Sequence, residues 1–201
     1  MKTTLRVAAA AAALAFAAPS FAQQSAHPRV GLGVSMNSSL IAPLLTLGNA
    51  IFAPPTQLYV PFYVAPNVRI EPQFGWLSVH DDTDDVTSRS FSLGVGAVLL
   101  KPVAQSTNLY VGGRLVSTWL RDENRVNPTT VAKTTQRNTT LAAVFGGEYL
   151  PSPWFSVGLE AQLEFTALGD PETETAGITV TGQGGSSKAT QGLFFLRVYF
   201  L

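Results

Sequence analysis

The chain has no cysteine among its 201 residues. That excludes disulfide staples, thiolate chemistry and lipid attachment through an N-terminal cysteine. Charge is scarce as well: charged residues make up 13% of the sequence, against about 25% in ordinary soluble domains. Thirteen basic residues balance thirteen acidic ones, so no basic excess points to nucleic acid. Beyond the N-terminal region the sequence has no apolar run of roughly 18 residues, the minimum for a spanning helix. Only two histidines, His27 and His80, could serve acid–base or metal chemistry, and no cofactor is expected.

The start, MKTTLRVAAAAAALAFAAPSFAQQ, has the pattern of a secretory signal peptide. Lys2 and Arg6 supply the positive region, Val7 to Ala18 the short apolar run, and Ser20-Phe21-Ala22 the small residues a signal peptidase reads. The expected division is a signal peptide over 1–22, a short segment over 23–27 and one domain over 28–201.

That domain is dominated by alternation. In SVGLEAQLEF, Val157, Leu159, Ala161, Leu163 and Phe165 fall on one side and Ser156, Gly158, Glu160, Gln162 and Glu164 on the other. A period of two is a β-strand with one apolar and one polar face. The same pattern recurs at 29–36, 57–64, 68–79, 90–99, 109–119, 140–149 and 191–201, giving eight strands with 156–165. The connections alternate in length. Residues 37–56, 80–89, 121–138 and 168–189 are the longer set, and 65–67, 100–107 and 150–153 the shorter. In the first short turn, Asn67 is expected to take the left-handed position. Even strand number with long and short connections at opposite ends predicts an all-β, eight-stranded antiparallel up-and-down transmembrane barrel. Pro61 and Pro72 fall inside strands and predict bulges or breaks there.

Alternation does not say which face points inward; the charges do. Each Asp is expected in a loop and each Lys beyond the signal peptide in a turn or loop. The strand charges are Arg29, Arg69, Glu71, Arg114, Glu148, Glu160, Glu164 and Arg197, all on polar faces. Four Arg against four Glu could pair inside a narrow barrel, where an unpaired charge would be costly. On the apolar faces, Trp76, Phe91, Trp119 and Phe165 lie toward the long loops. Tyr149, Phe200 and nearby Trp154 lie toward the short turns. Leu109 to Trp119, at roughly 3.3 Å per residue and a tilt near 45°, spans about 23 Å, close to the roughly 25 Å lipid-facing band of such barrels. The expectation is therefore apolar faces on lipid and polar faces inside.

The final strand, LFFLRVYFL, carries Phe194, Leu196, Val198 and Phe200 on one face, with Leu201 following. In this pattern the chain resembles the small eight-stranded outer-membrane barrels of the OmpA and OmpX type. The resemblance implies residence in the outer membrane of a Gram-negative bacterium. It also implies contact with outer-membrane lipid and lipopolysaccharide, and recognition of the C-terminal strand by the barrel-assembly machinery.

Three further features bear on function. The first outer connection, SLIAPLLTLGNAIFAPP at 39–55, is apolar and could cover the barrel mouth or gate entry of a greasy ligand. In HDDTDD, Asp81, Asp82, Asp84 and Asp85 could contact a divalent cation, although the segment lacks the glycine and closing Glu of an EF-hand. Ser78 and His80 lie two apart at the outer rim, a pairing that a lipid-modifying hydrolase could use. Three readings compete: a structural or surface-interaction barrel, a carrier or narrow channel for small hydrophobic molecules, and a lipid-modifying enzyme. The first leads.

Overall fold

The computed structural model of the protein describes residues 30–37, 57–81, 85–127 and 130–200. Its strands are β1 (Val30–Asn37), β2 (Gln57–Tyr59), β3 (Phe62–Ala65), β4 (Val68–Asp81), β5 (Val86–Ala104) and β6 (Thr107–Asn127). They continue with β7 (Thr130–Ser152), β8 (Phe155–Leu168), β9 (Glu172–Thr175), β10 (Ile178–Thr181) and β11 (Gly185–Phe200). Every pairing between neighbours is antiparallel. β2 and β3 are two halves of one strand between β1 and β4. β1 pairs with β11, from Val30↔Phe200 to Asn37↔Leu193, and this pairing with β7–β8 closes a ring of eight. Closure leaves the ring no edge to aggregate.

The connections at one end are two-residue turns, at Pro66–Asn67, Gln105–Ser106 and Pro153–Trp154. Asn67 is not left-handed: among the described residues only Asp85, Ala176 and Gly177 have positive φ. A register shift between Tyr63 and Ala65 instead reconciles the Pro66–Asn67 turn with the strand twist.

At the other end the strands outrun expectation. Residues 121–127 and 130–138, expected as loop, are strand. β6 and β7 stay paired from Arg121↔Thr135 out to Asn127↔Thr130. Most of 168–189 is also strand, as the β9–β10 hairpin and the first turns of β11's ladder on β8. Lys101, Lys133, Lys188 and Asp122 accordingly lie in strands, and Asp81 ends one. These segments are rich in threonine, whose β-branched side chain suits a pleated surface whether or not one side is apolar. The β9–β10 hairpin turns at Ala176–Gly177, with φ of 52° and 79°. Two consecutive left-handed residues match the twist of paired strands.

The prolines meet across one seam. Pro61 interrupts the chain between β2 and β3, whereas Pro72 stays within an unbroken β4, opposite Val95. Neither has an N–H to give. The ladder is bridged by Val60 N donating to Pro72 O at 2.9 Å and Gly31 N donating to Pro61 O at 2.8 Å.

The apolar faces point out. Trp76, Leu159 and Leu163 are 63%, 67% and 64% exposed, while Arg69, Glu71 and Glu148 on the opposite faces are 0% exposed. The interior is not purely polar, however. Val98, Leu100, Tyr110, Ala142, Val144 and Phe195 form a buried cluster. In AVLLKPV both faces are apolar, so alternation says nothing there.

Glycines make the interior possible. A Cβ on Gly146 would sit 2.3 Å from Tyr110 Cζ, and one on Gly158 would sit 2.2 Å from Phe195 Cζ. Likewise Gly33 faces Arg197 Cγ at 2.8 Å and Gly96 faces Arg114 Nη1 at 2.8 Å. Large inward side chains fill the room the glycines leave.

Candidate functional site

β4, β6, β7, β8 and β11 bring six of the eight charges expected on strand polar faces into one buried network. Glu71 is its hub. Its Oε2 lies 2.5 Å from Arg114 Nη2, and its Oε1 lies 2.7 Å from Arg69 Nε and 2.8 Å from Arg197 Nη2. Glu148 takes Arg69 Nη1 at 2.6 Å and Arg197 Nη1 at 3.3 Å. Glu160 takes Arg114 through Nε at 3.0 Å and Nη2 at 2.7 Å, an Arg–carboxylate fork. Three Arg against three Glu leaves the network neutral.

Uncharged side chains complete it. Tyr110 donates to Glu160 at 2.8 Å, and Tyr199 and Ser156 donate to Glu148 at 2.6 and 2.5 Å. Gln162 donates to Glu160, and Gln73 accepts from Arg114 at 3.2 Å. Tyr59 accepts from Ser35 at 2.9 Å and lies under the Arg114 guanidinium, 4.8 Å from ring to carbon. Arg197 is held differently. None of its guanidinium nitrogens is aligned for a hydrogen bond, and the group stacks on Phe195 at 3.7 Å. Arg69 Nε is near Glu71 but is likewise misaligned. These two guanidinium contacts are electrostatic and stacking contacts rather than forks.

Sequence reading did not single out Tyr59, Tyr110, Tyr199, Gln73 or Ser156. The signal was parity: each shares its strand's inward face with a network charge or, for Tyr59, packs on one.

The other candidates disperse. Arg29, Asp82, Asp84, His27 and all of 39–55 lie outside the described residues. Glu164 points inward but stands apart from the network, accepting from Gln191 Nε2 at 2.8 Å. Asp85 pairs with Arg125 at 3.0 Å. Among the described residues no group of three potential metal ligands occurs. Ser78 and His80 lie on the outward face of β4, and His80 Nδ1 is 2.9 Å from Thr87 Oγ1.

The aromatics form two outward groups. Trp76, Phe91 and Trp119 share one register row across β4, β5 and β6. Phe91 lies 5.5 Å from Trp119 and 5.4 Å from Phe74 between ring centres. Phe165 faces out beside Leu141. Tyr149, Trp154 and Phe200 are exposed toward the two-residue turns.

An exposed apolar wall around a charge-filled interior is the solution a barrel takes in lipid, where every backbone group must be satisfied internally. The sequence model for the outer membrane protein beta-barrel domain matches residues 8–183. The chain belongs to this family. It is an outer-membrane β-barrel of a Gram-negative bacterium, and its apolar face is the lipid face. Among curated proteins, none matches the chain. Among solved structures, Neisserial surface protein A is 14% identical over 86% of this chain and 96% of its own, with a TM-score of 0.48. A major outer membrane protein from Thermus thermophilus is 12% identical over 88% and 100%, also at 0.48. The attachment invasion locus protein Ail of Yersinia pestis is 11% identical over 86% and 95%, at 0.43.

Proposed function

We propose that this outer-membrane barrel is a closed structural element that meets its surroundings through its long outer end, and not a conduit. The observation that carries this reading is the fate of the glycines. A row of glycines on polar faces would suit a lumen, but Gly96, Gly146 and Gly158 stand against Arg114, Tyr110 and Phe195 at distances that leave no space for even a Cβ. The neutral network then closes the cross-section with paired charge, which a passing apolar molecule cannot replace without leaving charges unpaired. No catalytic role is assigned to Ser78 or His80 in this reading.

Conductance of the purified, refolded protein in planar lipid bilayers tests it. The expected result is no steady aqueous current for the unaltered chain. Sustained, ohmic conductance of the unaltered chain would overturn the proposal and favour a channel.

A further inference from the structure

We propose that a pocket on the outer flank of the barrel binds the phosphorylated head of an outer-leaflet glycolipid, lipopolysaccharide, with the aromatic row beneath it supporting the first part of the acyl chains. This goes beyond the reading of a closed interior and does not depend on it.

The pocket is an open cavity of about 480 Å³ floored by three consecutive residues from each of three adjacent strands, 89–91, 119–121 and 135–137. Their odd-numbered side chains point outward. Phe91, Trp119 and Arg137 occupy one register row with Trp76, and Arg89 and Arg121 stand directly opposite each other in the next row out. Arg137 stacks on Trp119, its guanidinium carbon 5.2 Å from the ring centre. Three guanidinium groups thus converge above an exposed aromatic shelf.

The height fits. Rows two residues apart differ by roughly 6.7 Å along a strand, or about 5 Å along the membrane normal at a tilt near 45°. Arg89 and Arg121 therefore lie just outside the aromatic belt, at the level of lipid head groups.

The charge fits as well, once the acids are counted. Asp170 and Glu172 wall one side of the pocket, and the Asp170 carboxylate already accepts from Gly184 N at 2.7 Å. Glu123 accepts from Arg121 Nε at 2.7 Å. That hydrogen bond, with Arg89 and Lys133 close by, holds the Glu123 carboxyl below its ordinary range. Asp170, Glu172 and Glu123 set three carboxylates against Arg89, Arg121, Arg137 and Lys133, yet Arg89 still faces Arg121 across the strand pair, where like charges are destabilising. A phosphate between them offsets that repulsion. Arginine's planar fork suits phosphate oxygens better than a lysine would. The apolar shelf selects an acylated ligand over a free anion.

The test compares retention of lipid A carrying its phosphates with retention of the same lipid after dephosphorylation, by native mass spectrometry of the full protein in detergent. The unaltered protein is expected to favour the phosphorylated form on the order of tenfold, the scale of one or two charge-assisted hydrogen bonds. Combined Arg89→Gln, Arg121→Gln and Arg137→Gln substitution should abolish the preference while heat-modified gel mobility stays that of a folded barrel. If the combined variant does not fold, Arg89→Gln alone, at an exposed site, should lower the preference about threefold. Three results would overturn the proposal. Equal retention of both lipids would mean acyl contact alone. An undiminished preference in the folded arginine variants would remove their role. A preference abolished by EDTA and indifferent to the arginines would assign the phosphate to a cation held by Asp170 and Glu172.

Discussion

Within the lipid-spanning part of the barrel, Arg69, Glu71, Arg114, Glu148, Glu160 and Arg197 are buried together. Where the strands run on past the belt, Arg121 pairs with Glu123 and Arg125 with Asp85, with Arg side chains 46% and 55% exposed. The bonds are of the same kind, but their surroundings differ. Outside, water competes for each partner, and an exposed pair is worth about 0–1 kcal/mol. Inside, no charge can go back to water, so each depends on the others. What differs is less the gain from pairing than the cost of removing one partner. The inner region therefore specifies the fold, and the outer region is free to vary.

Glu71 gives the largest expected effect. It is the one carboxylate within ion-pair distance of all three network arginines. Glu71→Gln keeps the shape and removes the charge, leaving three buried guanidinium groups against two carboxylates. Loss of one partner in a buried network costs about 3–5 kcal/mol. Urea-induced unfolding in lipid vesicles should show a loss of that size. A loss below about 1 kcal/mol would mean that water reaches the interior and that inner and outer regions do not differ in kind.

The same contrast extends to glycine. At Gly158 a Cβ would meet both Phe195 Cζ at 2.2 Å and Gly147 O at 2.3 Å, while at Gly185 it would meet nothing within 4 Å. Gly158→Ala should cost about 1–3 kcal/mol, as overpacking does. Gly185→Ala, on the outer part of β11, should be near neutral or slightly stabilising. Both are read by the same unfolding titration, and equal effects would show that the interior has room to spare.

The barrel was legible in the sequence because lipid enforces alternation. Leu159 and Leu163 must be apolar and Glu160 must not point outward, so one face reads cleanly. Beyond the lipid band nothing enforces it. Arg121, Thr135 and Lys133 stand on strands that have left the hydrocarbon, where neither face has to be apolar, and such segments read as loop. The network was legible as a count of charges, but not as a geometry. Glu71 on β4 and Glu160 on β8 look alike as single carboxylates on polar faces, yet one touches three arginines and the other one. Register across strands decides that, and a single strand's pattern carries no register information. Tyr110 and Phe195 were missed for the reverse reason. On an inward face an aromatic looks like a break in the alternation, when it is the filling for Gly146 and Gly158.

The smallest effect belongs to the outer pair. Glu123→Gln removes the acceptor for Arg121 outside the lipid band, where the Glu123 side chain is 28% exposed, and its cost in the unfolding titration should stay below about 1 kcal/mol and shrink with added salt. The pH dependence has a definite sign. Because the Arg121 hydrogen bond lowers the Glu123 carboxyl in the folded protein, its contribution is present above the ordinary glutamate range. It fades as pH falls through the lowered folded value. A carboxyl-carbon NMR titration of the folded barrel should place Glu123 below an unpaired glutamate, and Arg121→Gln should return it toward the usual range. If Glu123 stays low without Arg121, then Arg89 and Lys133 hold it, and the outer cations act as a field rather than as a pair.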